Sequence, residues 1–337
     1  MDMNSVDRIA RVGSGVLRSI ALIGAAALSF SCEAQKQNAQ PLPEVIPSVA
    51  SEIPEFSGEQ AFKFLLRQTD FGPRAPNTPG HRNCLEFLHQ QLTEYADAVN
   101  LQPFTHTGRD GIQYSLTNVI ASFNSKATDR ILLTAHWDTR PWADQDADTR
   151  NHSKPIIGAN DGASGVAVLL EIARHLHGTS PPIGVDIIFF DGEDLGATGS
   201  PESFSAGAKF FAANKSMGFR PRFGINIDMV GDKVLEIPRE VNSDRYARNV
   251  MDLIFSTART LGLPQFTHAE GSEIYDDHIP LNNVGIPTAD LIDFHYPDRR
   301  TNYWHTLADT PDQCSPESLA AVGQVLLHIL YTGAKTP

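Results

Sequence analysis

The chain has 337 residues, 41% of them hydrophobic, enough to bury a sizeable core in one large domain or two small ones. A formal net charge of −13 without any long basic run argues against nucleic acid as a partner, because phosphate binding needs clustered lysine and arginine. Beyond the first 34 residues no segment is long and apolar enough to cross a bilayer.

In chain order, Arg8, Arg11 and Arg18 precede an apolar stretch from Ile20 to Phe30 that ends in small residues, the layout of an export signal. The segment "ALSFSCEAQ" resembles a bacterial lipobox. That resemblance implies a signal peptide over residues 1–31, lipidation of Cys32 as the mature N-terminus, and an exported protein held at a periplasmic or cell-surface membrane by its lipid alone. Simple secretion and an uncleaved anchor are the alternatives. Residues 32–55, rich in Gln, Pro, Ser and Glu, read as a flexible tether, and a single folded domain is expected over 56–337.

Within that domain, helices are expected over 59–69 and 79–96, followed by a buried strand at 130–136 ("RILLTAH"). The next helix is the clearest: in "DGASGVAVLLEIARHLHG", Val166, Leu169, Leu170, Ala173 and Leu176 recur at three and four residues and Gly178 supplies a stop. Further strands fall at 185–190, 223–230 and 288–293, with helices over 205–217, 243–261 and 315–332. These strands are apolar on both faces, as parallel strands covered by helices should be, so the alternation predicts an α/β sandwich on a largely parallel sheet. There is no internal repeat. Cys84 and Cys314 are too few for a zinc–thiolate site and too far apart in sequence to establish a disulfide.

Such sheets carry their sites beyond the carboxyl ends of the strands. There the chain places His136, Asp161, Glu193, Asp194, Asp228, Asp276 and His305. Singly, each has an ordinary explanation: a helix cap for Asp161, a solvated turn for Glu193 and Asp194, a hydrogen-bonded core histidine for His136. Asp228, inside an apolar strand, is harder to explain, since an unpaired buried carboxylate costs several kcal/mol. Taken together, imidazoles and carboxylates converging from several strand ends are what Zn²⁺ requires. A catalytic zinc also needs an open position and a carboxylate free to move protons. Asp194 can be the ligand while Glu193 is the shuttle, and Asp191 caps or orients the turn. A serine hydrolase is disfavoured because there is no G-x-S-x-G elbow.

The motifs "FGPRAPNTPGH", "AHWDTRPWADQDADTRNHSKPIIGANDGASGVAVLLEIAR", "FFDGEDLG", "YDDHIPLNNVGIPTADLID" and "YWHTLADT" resemble, in order and spacing, the zinc aminopeptidase clan. Within the clan they are most similar to the glutaminyl-peptide cyclotransferases of the animal type and their bacterial relatives, over residues 57–335. The resemblance implies a three-layer αβα sandwich with a mixed, largely parallel sheet. It also implies cyclisation of the N-terminal glutamine of peptides or proteins to pyroglutamate with release of ammonia. One zinc would be held by Asp161, Asp194 and His305, with Glu193, Asp228 and Asp276 as the catalytic acids. Trp304 would wall the substrate pocket, and Phe204 would replace a second pocket tryptophan. The alternative is a di-zinc aminopeptidase in which Asp161 bridges, His136 and Asp228 complete one ion, and Asp194 and His305 the other. A non-catalytic zinc-containing surface module is the distant third reading, against which the non-ligand Glu193 argues. The oligomeric state is not legible.

Overall fold

The computed structural model describes residues 53–333. The expected signal peptide, Cys32 and most of the tether lie outside the described residues.

Six strands form one sheet: β1 (Ala98–Thr107), β2 (Gln113–Phe123), β3 (Arg130–His136), β4 (Gly184–Phe190), β5 (Gly224–Asp228) and, later in the chain, a strand at Thr288–Ile292. A small parallel pair, β6 (Ile237–Arg239) with β7 (Phe266–Glu270), lies outside this sheet, so Thr288–Ile292 is β8. The order is β1-β2-β4-β3-β5-β8. From β4 to β8 every pairing is parallel, while β2 joins β1 and β4 antiparallel, which gives the mixed, largely parallel sheet.

Alternation along the central strands explains the three layers. Ile131, Leu133 and Ala135 of β3 and Val185, Ile187 and Phe189 of β4 enter the main core, whereas Leu132, Ile188 and Phe190 enter a smaller core on the other face. Against the first face pack α1 (Gly58–Thr69), α2 (Pro79–Tyr95), α3 (Ala163–Gly178), α6 (Arg248–Thr260) and α8 (Pro316–Tyr331). The second face is covered by α4 (Ala206–Asn214) and α7 (His278–Asn283), with α5 (Val241–Tyr246) beside β8. None of these helices is long and apolar enough to cross a membrane.

Some expected boundaries shift for local reasons. The strand expected over 223–230 stops at Asp228 because Met229 takes a left-handed φ of 49°. The helix expected over 243–261 is two helices, broken where Ala247 leaves helical geometry at φ −136° and ψ 37°. The β1–β2 hairpin is not among the expected elements. In β1 no residue is fully buried, so it lacks an apolar run, and β2 hides its alternation among Ser, Thr and Asn. Cys84 and Cys314 are both buried and unpaired.

Candidate active site

Because β3, β4 and β5 run parallel, their carboxyl ends deliver His136, the 191–194 turn and Asp228 to one edge. His136 Nε2 lies 3.1 Å from Asp161 Oδ1 and 3.1 Å from Asp228 Oδ1. Its Nδ1 is 3.6 Å from Asp138, whose carboxylate also accepts the amides of Glu193 (3.0 Å) and Asp194 (3.2 Å). One aspartate therefore caps the short 3₁₀ turn at Glu193–Leu195 and sets its charge in ion-pair range of the imidazole. Gly192, at φ 74°, makes the reversal between Asp191 and that turn.

Asp161 is carried just ahead of α3. The side chain of Asp309 accepts the amides of Asn160 (2.8 Å) and Asp161 (3.1 Å), so a remote carboxylate fixes the entry to α3 and the Asp161 side chain is not needed as its cap. Gly162 is needed for close approach, since a Cβ there would sit 2.7 Å from the His136 ring. Arg74, fully buried, ties the two loops together by donating to the carbonyls of Trp137, Ile157 and Gly158.

A second set shares Asp161. His305 Nε2 lies 2.9 Å from Asp194 Oδ1 and 3.5 Å from Asp161 Oδ2. Asp161 Oδ2 and Asp194 Oδ2 are buried without any hydrogen-bond partner, and the ligand atoms of Asp161, Asp194 and His305 lie within 4.8 Å of one another. Burial, and then the Asp194 charge, hold the Asp161 carboxyl well above its usual range. Orphaned carboxylate oxygens converging on an imidazole are the donor set a zinc ion satisfies, so the residues fit that metal. Behind His305, Asp144 stands 3.9 Å from Nδ1, gripped by the Arg140 guanidinium at 2.6 and 2.8 Å. Burial alone would raise the Asp144 pKa; Arg140 reverses this and holds it well below the usual carboxylate range.

Glu193 stands outside that triad, although it also comes within ligand range of His136 and Asp194. Ser205 donates to its Oε1 at 3.2 Å. Burial first, and the Asp276 carboxylate second, push Glu193 well above its usual range, and burial with Asp228 lifts Asp276 to about 6. These acids face a cavity of about 510 Å³, whose apolar wall is Phe204, Ile274, Ile292, Phe294 and Trp304. Trp304 stacks on His305 with ring centroids 3.7 Å apart. Three non-glycine residues beside the acids, Ser205, Met229 and His305, hold left-handed backbone at φ 60°, 49° and 57°. Strain of this kind, of order 1–3 kcal/mol each, persists where the surroundings over-determine the geometry.

Of the residues singled out in the sequence, Asp161, Glu193, Asp194, Phe204, Asp228, Asp276, Trp304 and His305 all line this cavity, and His136 lies directly behind Asp161 and Asp228. Asp191 turns away from the cavity: both its oxygens face His81 Nε2, at 2.9 and 3.1 Å, and Oδ2 accepts the Thr117 amide. Sequence reasoning missed Asp138, Arg140, Asp144, Ser205 and Asp309. Asp138 had a signal, its place two residues beyond His136 at the same strand end; Asp309 lies 148 residues from the amide of Asp161 and had none.

A largely parallel α/β sandwich with two overlapping cation sets at its carboxyl edge, a free carboxylate and an aromatic-walled cavity defines a metal-dependent exopeptidase-like protein. Residues 118–330 match the model of peptidase family M28, and the chain belongs to that family. It is similar to the solved glutaminyl cyclase of Bacteroides thetaiotaomicron at 38% identity, with a TM-score of 0.79 over 82% of this chain and 98% of that one. A leucine aminopeptidase precursor from the same organism gives 38% identity and a TM-score of 0.79, over 83% and 98%. Glutaminyl-peptide cyclotransferase of Bos taurus is 23% identical over 77% of this chain and 79% of its own.

Proposed function

We propose that this chain is a zinc-dependent glutaminyl-peptide cyclotransferase, converting N-terminal glutamine of peptides or proteins to pyroglutamate and releasing ammonia. The observation that carries the reading is that the Asp276 and Glu193 carboxylates line one cavity, whose wall includes Trp304 stacked on His305. Hydrolysis needs one base beside the metal. A shared-proton group of acids suits a reaction in which a proton leaves one nitrogen and reaches another.

Asp161, Asp194 and His305 are the residues that would hold zinc. Bound there, the metal supplies a Lewis acid at the side-chain carbonyl of the glutamine. Glu193 takes the proton from the α-amine as that amine attacks the side-chain carbonyl carbon, and returns it to the departing ammonia, serving as base and then acid. Burial and the Asp276 charge raise the Glu193 carboxyl, and Asp276 is itself lifted to about 6, so a proton stays available to this pair of acids. Trp304 and Phe204 pack the methylenes of the glutamine and exclude water, which would otherwise compete for the carbonyl. Replacing Glu193 by Gln should abolish ammonia release while leaving zinc bound. Loss of the metal in that variant would make Glu193 a ligand and end the role given to it here.

A second reading, a di-zinc aminopeptidase, is favoured by one observation: the atoms of His136, Asp161 and Asp228 also lie within 4.8 Å of one another. One zinc per chain supports cyclisation and two support hydrolysis. Export, lipidation at Cys32 and a single catalytic domain over 56–337 complete the proposal, resting on the sequence alone.

A further inference from the structure

His278 opens α7 two residues beyond Asp276 and is fully buried with a carboxylate on either side. Its Nε2 lies 3.4 Å from Glu240 Oε2 and its Nδ1 3.7 Å from Asp290 Oδ2, within ion-pair range, and neither nitrogen has a hydrogen-bond partner. Asp290 sits in the middle of β8, fully buried, where a carboxylate costs several kcal/mol unless it is matched. Neither residue lines the cavity, so the chemistry above leaves both unexplained.

Hydrogen bonds connect them to the cavity. Asn226 Nδ2 donates to Asp290 Oδ1 at 3.0 Å and to Asp276 Oδ2 at 2.9 Å. The Thr134 hydroxyl donates to Asn226 Oδ1 at 2.7 Å, which fixes the amide with its NH₂ toward the two carboxylates. At the far end Glu240 cannot follow the imidazole, because its side chain also accepts the amides of Asn242 and Ile274 at 2.9 and 3.0 Å.

We infer that His278 is a positioning residue: lying in ion-pair range between Glu240 and Asp290, it holds Asp290, and through Asp290 and Asn226 it fixes the carboxylate of Asp276 in the cavity that Glu193 also lines. The assignment rests on the cyclotransferase reading, in which Asp276 belongs to the reacting group of acids. A misplacement of about 1 Å at such a carboxylate costs on the order of a hundredfold in rate.

The test measures kcat, KM, zinc content and thermal midpoint on a glutamine peptide for His278→Leu and His278→Gln, each also in an Asp276→Asn background. The expected result for His278→Leu is a kcat lowered roughly 10- to 100-fold with KM within about twofold and zinc retained. His278→Gln, which keeps an N–H for one carboxylate, recovers most of that loss. In the Asp276→Asn background His278→Leu adds no further loss, because the two changes break one chain. Equal losses in both backgrounds, or a rise in KM with loss of zinc, would make His278 a purely structural residue and overturn the inference. If His278→Leu is insoluble, Asp290→Leu breaks the same chain one link later and is judged by the same criteria. A wild-type enzyme that releases no ammonia from the peptide removes the cyclotransferase reading, and the inference with it, before any variant is made.

Discussion

Trp304 has two neighbours that matter, the His305 ring 3.7 Å away and the cavity it walls. Trp304→Ala should therefore lower kcat/KM by about 10- to 100-fold, mostly through KM, with zinc content unchanged, as steady-state kinetics and metal analysis would record. A fall in kcat alone would mean that the indole aligns His305 rather than holding substrate. Asp293 carries a separate prediction. Burial raises its carboxyl to about 6, against the amides of Glu236 and His295, which pull it down. A carboxyl raised in the folded state contributes stability that is full below its unfolded pKa, about 3.8, and is lost as pH rises through about 6. Relative to Asp293→Asn, wild type should thus lose on the order of 3 kcal/mol between about pH 4 and pH 7.5 in urea unfolding. A difference that does not change with pH would contradict this. The ligand and proton-shuttle candidates were legible because ionisable groups at the ends of apolar strands stand out. Asp138, Asp144 and Asp309 were not, because their importance comes from amides and side chains they meet only after folding.

At the scale of elements, α3 and β5 carry Asp161 and Asp228 toward each other, and Gly165 sets their distance. A Cβ at that position would lie 2.4 Å from the carbonyl oxygen of Ile227, a backbone atom that cannot turn aside. Alanine gains about 1 kcal/mol in helix propensity over glycine. Overpacking typically costs about 1–3 kcal/mol, so the clash should win and Gly165→Ala should lower both the thermal midpoint and the zinc affinity. A variant with unchanged melting and metal binding would show that α3 can shift without cost. The central strands were legible from their two-sided apolar runs, and β3 was located to the residue. The β1–β2 hairpin and α7 were not. The first is a half-exposed edge whose side chains alternate without an apolar run, and the second is six residues whose helical form depends on packing against β5, β8 and α4.

For the whole molecule, the carboxyl edge of one sheet concentrates acids that would repel one another without a cation, and that concentration is the basis of the functional reading. The solved structures similar to this chain include both a glutaminyl cyclase and a leucine aminopeptidase precursor, so the fold alone does not choose between the two activities. The chemistry differs in whether water enters the product. The decisive measurement is mass spectrometry of a Gln-Ala peptide and a Leu-Ala peptide incubated with the zinc-loaded enzyme in heavy-oxygen water. The account predicts loss of ammonia from the glutamine peptide, no heavy oxygen in its product, and an untouched leucine peptide. Release of a free N-terminal residue carrying heavy oxygen in its new carboxylate would contradict it and make the protein an aminopeptidase.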